Sequence, residues 1–260
     1  MIRKVTATGG KLEYALNRDG VREGRWKEYH PPPHSRAIKH DATFKGDLLE
    51  GRWREWAPDG TLLAEGDYHE GLAHGRWSRW YPDGERWSQG EFRKGYRHGR
   101  TTYWNTDTSL FMVADYDRGK LAKVLSLPDP FGRETVLPDG EILVWKACRR
   151  KTEWYDFWSA TNVYVRIRVP ADARRVTPYD PEDLYKSRIE YGVVVGIEDA
   201  KGNAYTEADS FIYEDAGLHY VVGCEVHPDG YNPDPELGCG QGIHVYRYKD
   251  HCTPWFHASL

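Results

Sequence analysis

The sequence predicts a mainly β protein: an antiparallel meander of β-hairpin repeats followed by a compact β-rich domain with minor helix. Three observations predict it. A Gly-Arg-aromatic phrase recurs at near-constant spacing, Pro-Asp-Gly turns punctuate it, and Gly or Pro interrupts every window of the first half that could host a helix.

The repeats come first in the chain. Gly24, Gly51, Gly75 and Gly99 each open a phrase with Arg, and the steps between them are 27, 24 and 24 residues. The longer first step falls at "HPPPH", a loop insertion. In each unit "GRWREW" reads as an aromatic strand. "PDG" follows as a turn, with Pro fixing φ and Gly taking the positive-φ position. "TLLAEGDY" is the return strand, and "HEGLAHG" is expected as a second Gly-bounded turn into the next unit.

Three aromatic columns result. Trp26, Trp53 and Trp77 form the first, which lapses at Thr101. Tyr29, Trp56, Trp80 and Trp104 form the second, and Phe44, Tyr68, Phe92 and Tyr116 the third. The first and second are three residues apart, so a strand sends them to opposite faces unless a bulge intervenes. One column then packs, and the other is a candidate partner surface; the binding residues expected are Tyr29, Trp56, Trp80 and Trp104.

The phrases "YHEGLAHGRWSRWYPDG" and "FRKGYRHGRTTYW" resemble the bacterial variant of the MORN repeat, over residues 20–121. The resemblance implies stacked hairpins and a scaffold or binding role, with no catalytic residues to carry over. Some bacterial relatives are antitoxin-like.

The period ends after Leu121, and the charge changes with it. Residues 1–123 hold 22 Lys and Arg against 18 Asp and Glu, a balance of +4, and residues 124–260 hold 14 against 22, a balance of −8. Two domains are therefore expected, 1–123 and 124–260. In the second, "PDG" at 138–140 is expected as a hairpin turn. "NVYVRIRVP", "IEYGVVVGIED", "GLHYVVGCEV" and "GIHVYRY" read as strands, and a short helix is allowed from Pro181. Trp255 and Phe256 in "DHCTPWFHASL" are expected to tie the tail to a domain surface, or to anchor a partner or a dimer.

The stretch "SFIYEDAGLHYVVGCEVHPDGYNPDPELGCGQGIHVYRY" resembles a domain of large DNA viruses and phages in which a Tyr-containing strand leads to a Cys and a Gly-Ile-His phrase. That family has no assigned activity. Three readings of the stretch stay open. Cys224, His227, Cys239 and His244 have the residue types and pair spacing of a zinc site. Cys239 and His244 could be nucleophile and base. Or the glycines shape a turn, Cys239 is a small buried apolar group and His244 a satisfied core histidine.

A net charge of −4 argues against general attraction to nucleic acid, although interleaved Arg and Trp could stack on single strands. No apolar run reaches the length of a signal peptide or a membrane span, so a cytoplasmic location is expected. Four cysteines are too few for a disulfide framework. The function expected is non-catalytic recognition of a protein partner, with an inhibitor or antitoxin-like role of phage or prophage origin in keeping with the resemblances. The alternatives are an enzyme centred on Cys239 and His244, or a zinc-stabilised binding module; no other cofactor is expected. Open hairpin edges and the tail allow a homo-oligomer.

Overall fold

The computed structural model describes residues 11–150, 161–181, 183–210 and 217–252, with the backbone alone at 2–5 and 253–256. The chain divides into two compact units, Met1–Leu121 and Ala122–Leu260. Both are β, as the sequence predicts.

The first sheet has twelve strands among the described residues. They are β1 (Ile2–Val5), β2 (Lys11–Leu16), β3 (Arg22–Tyr29), β4 (Ile38–Lys45), β5 (Leu48–Leu49), β6 (Gly51–Trp56), β7 (Leu62–His69), β8 (Leu72–Trp80), β9 (Arg86–Arg93), β10 (Tyr96–Trp104), β11 (Leu110–Asp117) and β12 (Lys120–Ser126). They pair in chain order, with the short β5 lying off the path against β4. Two kinds of turn alternate. At the Pro-Asp-Gly turns, Asp59 and Asp83 each accept the N–H two residues on, from Thr61 at 2.9 Å and Glu85 at 3.0 Å, and this is why Asp follows Pro.

The other turns are tighter than "HEGLAHG" suggests. Only Glu70 and Gly71 form the loop, with φ of 51° and 79°, and β8 starts at Leu72. Lys94–Gly95 and Arg118–Gly119 repeat this pair of positive φ values, which is the type I′ hairpin signature. Gly75, at φ 68°, lies inside β8, where residues 75–77 stand opposite the single residue Gly66 of β7. The Gly-Arg-aromatic phrase is therefore a bulge within a strand in the units of Gly24, Gly75 and Gly99, whereas Gly51 opens β6.

The second sheet comprises β13 (Ile142–Arg150), β14 (Thr161–Val169), β15 (Arg175–Val176), β16 (Lys186–Ile189), β17 (Gly192–Asp199), β18 (Ala204–Tyr205), β19 (Glu207–Asp209), β20 (His219–Val221), β21 (Glu225–Val226) and β22 (Ile243–Tyr246). Its main path runs β15-β16-β22-β13-β14-β17-β18. The final strand is thus inserted between β16 and β13. Val144, Val163, Val165, Ile167, Ile189, Val194, Ile243 and Val245 make a common core. Three expectations change here. The turn at 138–140 has no strand ahead of it, only the isolated bridge Pro128–Glu134. "IEYGVVVGIED" divides between β16 and β17. The expected helix from Pro181 is absent among the described residues, where Asp183 and Lys186 close consecutive turns instead. Among the described residues the helical element is a 3-10 turn at Lys249–Phe256; the side chains of Trp255 and Phe256 lie outside the described residues.

Candidate functional site: two aromatic columns and a cysteine loop

The first column is a packed stack. Ring centroids of Trp53 and Trp77 are 5.4 Å apart, Tyr68 meets Trp77 edge-on at 5.3 Å, and Phe92 lies 5.7 Å from Trp77. Trp77 is 6% exposed and its Nε1–H donates to the Asp67 carbonyl at 3.2 Å. A Cβ on Gly66 would overlap the Trp77 indole, and one on Gly90 would overlap Thr101, the residue that takes the Trp place in the last unit. In the first unit His40 is sandwiched between Trp26 and Trp53, at 6.1 and 5.5 Å, and bonds Glu28 at 2.9 Å. The third column belongs to the same stack: Phe44 packs on Trp26, and Tyr68 on Trp53.

The second column is half-buried throughout and makes different contacts. Tyr29 donates its hydroxyl to Glu13 at 3.0 Å and lies under Lys11. Trp56 offers its carbonyl to His30. Trp80 and Trp104 both face the Arg86 guanidinium, each with its ring centroid 5.9 Å away. Beside them Arg79 lies 5.8 Å over Trp87, which is 37% exposed and also meets Tyr81. Burial lowers the Arg79 pKa, and neighbouring Arg97 lowers it further.

Trp87, Arg79 and Arg86 were not among the expected binding residues; their signal is the Arg-Trp alternation of "WSRWYPDGERW". A further row, Leu48, Leu72 and Tyr96, is 47–59% exposed. Each member touches the place of a Cβ on the next unit's turn glycine, Gly71, Gly95 or Gly119, at 3.3–3.5 Å. Its 24-residue spacing was visible in the sequence.

In the distal unit the four expected metal ligands are not gathered. Among the described residues no group of three or more His, Cys, Asp or Glu stands close enough to hold a metal. Cys224 lies in the tight turn between β20 and β21, and His227 stacks on Tyr191 at 5.3 Å and bonds Glu225 at 3.1 Å. Cys239 belongs to the loop that enters β22, and His244 lies in β22 itself. His244 is 2% exposed and its Nε2–H donates to the Gly240 carbonyl at 2.9 Å, a satisfied core histidine. Cys239 is not a buried apolar group: it is exposed, and its Sγ accepts from Lys186 Nζ at 3.4 Å. Burial alone would lower the Lys186 pKa, but Asp183, the hydrogen bond to Asp180 and Cys239 outweigh it and raise it.

A cavity of about 220 Å³ elsewhere in this unit is lined by Lys123, Asp139, Arg175 and Thr177 among others. Arg175 is engaged there by four backbone carbonyls, those of Pro138, Gly140, Pro170 and Ala173, so it serves the loop structure.

Residues 49–70 and 73–94 match the MORN repeat variant. These two segments hold the centre of the stack, Trp53 and Trp77, together with Trp56 and Trp80. Residues 133–252 match a family of unknown function, DUF5758, which contains the whole cysteine loop. No curated protein matches the chain. The repeats point to a binding or scaffold role. Among the described residues no helix is long and apolar enough to cross a membrane.

Proposed function

We propose that the repeat array is a protein-binding surface and that the chain works by non-catalytic recognition of a protein partner. One observation carries this reading: Trp87 is exposed and Trp80 and Trp104 half-buried, with Arg79 and Arg86 laid against their rings, while Trp77 is buried within the ring stack. Trp and Arg dominate the energetics of protein interfaces: Trp covers a large area with few rotamers to freeze, and Arg stacks on rings while donating several hydrogen bonds. A guanidinium over an indole gains strength when a partner displaces the water around it.

The surrounding charges favour a protein over a nucleic-acid strand. Arg25 pairs with Asp41, Arg52 with Glu65 and Arg76 with Glu91, which breaks up the basic strip that a phosphate backbone would follow. An inhibitor or antitoxin-like role, of phage or prophage origin, is the finer form of this reading. Its support is the resemblance of the two halves to such proteins.

The test is photo-crosslinking in the native host from a reactive residue at position 87, followed by reconstitution with the purified partner. Trp56→Ala with Trp80→Ala should weaken the reconstituted complex by roughly 100-fold or more, with array unfolding nearly unchanged. Unchanged affinity in that variant would overturn the reading. So would adducts to nucleic acid or lipid in place of protein.

A further inference from the structure

The cysteine loop holds an exposed thiol against a buried ammonium. Arg188, 0% exposed, donates to the carbonyls of Asn232 (3.2 Å), Asp234 (2.6 Å), Leu237 and Gly238 (3.1 Å). Gly238 is pressed so close to Asp180 that a Cβ there would overlap the carboxylate. The loop is thereby pinned on the N-terminal side of the thiol. Lys186, 4% exposed, has its Nζ 3.4 Å from Cys239 Sγ, 3.2 Å from Asp180 and 3.9 Å from Asp183. Tyr246 donates its hydroxyl to Asp183.

We propose that Lys186 and Cys239 are an oxidant-responsive covalent pair, joined through an Nζ–Sγ sulfenamide bond after a peroxide has oxidised the thiol. An adjacent ammonium favours the thiolate, the form that peroxide attacks. In the first step the thiolate attacks hydrogen peroxide: the S–O bond forms, the O–O bond breaks, and the departing hydroxide takes up the proton the thiol had released and leaves as water; the sulfur loses two electrons and the peroxide gains them. In the second step Asp180 takes a proton from the ammonium, the freed Nζ lone pair attacks that sulfur, the N–S bond forms and the S–O bond breaks. Of the two protons the ammonium gives up, one leaves with the hydroxyl as water and the other goes to Asp180. No second oxidant is required.

The other cysteines differ in exposure or in position. Cys148 and Cys252 are 0% exposed, and burial pushes the Cys252 thiol far above its ordinary pKa. Cys224 is as open to solvent as Cys239 but sits in a turn away from Lys186. The bond would tie the 231–242 loop to β16.

The experiment treats the full chain with hydrogen peroxide and digests it without reductant. The expected product is one linked peptide joining Lys186 to Cys239, two hydrogens lighter than the sum of its parts and cleaved by dithiothreitol. Lys186→Arg keeps the charge but should give no link, and dimedone should then label Cys239 several-fold more than in the wild type. Cys224→Ser should leave the link intact. Absence of the linked peptide from the wild-type protein overturns the proposal, a result that needs no variant to fold. Equal dimedone labelling of Cys239 with and without Lys186 overturns it as well.

Discussion

The two units reach a β structure by opposite routes. In the repeat array nearly every strand pairs with its neighbour in sequence, and the rings around Trp53 and Trp77 rest on rings of an adjoining strand. In the distal unit the last strand, β22, lies between β16 and β13, and Trp145 pairs with Tyr246 across most of the domain's length. The array is a sum of similar local terms. The distal unit depends on long-range pairings that form together or not at all. Buried side chains follow the same division: a continuous Val and Ile core in the second sheet, and scattered small residues beneath one aromatic stack in the first.

The largest effect that would sharpen this contrast is expected at Arg188. Arg188→Met removes a buried donor that makes four hydrogen bonds to loop carbonyls and should cost about 4 kcal/mol, since about 1 kcal/mol is lost with each bond. Calorimetry should show the distal transition falling while the array transition holds; a joint fall would break the comparison. Trp77→Ala should cost the array about 3 kcal/mol, low for a buried Trp because the stack has one side in solvent. Gly66→Ala should cost about 2 kcal/mol by overpacking against the same indole. Trp80→Ala, at the last position of β8, should change array stability by less than about 1 kcal/mol. Equal losses for Trp77→Ala and Trp80→Ala in denaturant titrations would erase the distinction between the two columns.

The smallest effect is a pH dependence in the distal unit. The side-chain amide of Asn203 holds the Asp199 carboxyl down at about 2, against an ordinary 3.8, with the N–H groups of Asn203 and Lys201 and the Tyr205 hydroxyl adding to it. The folded state therefore releases this proton more readily than the unfolded chain. The stability it contributes is complete above about pH 4 and is lost as the pH falls through about 2. Asp199→Asn should flatten that part of the acid-unfolding curve; an unchanged slope would show that other carboxylates carry it.

Legibility in the sequence followed contact distance. The hairpins, the Pro-Asp-Gly turns and the separation of Trp77 from Trp80 rest on residues within one or two units of each other, so spacing and strand alternation revealed them. The I′ turn at Glu70–Gly71 was misplaced because Gly75 looks like a turn residue when it is a bulge residue; both need positive φ, and sequence alone does not distinguish them. The Leu48, Leu72 and Tyr96 row was visible as a period but gained meaning only when each side chain was seen against the next glycine.

In the distal unit the strands β14 and β22 were readable from their alternation, but not their neighbours in the sheet. The pairing of Cys239 with Lys186 was equally hidden, because 53 residues separate them and the spacing of Cys and His drew attention elsewhere. By itself the sequence determined the class, the repeat and the local turns, which rest on backbone preferences and short-range side-chain contacts. Only the tertiary structure decided which aromatic column is consumed by packing, where β22 inserts, and that a buried lysine stands against the exposed thiol. Those outcomes depend on which distant surfaces meet, and no local pattern encodes that.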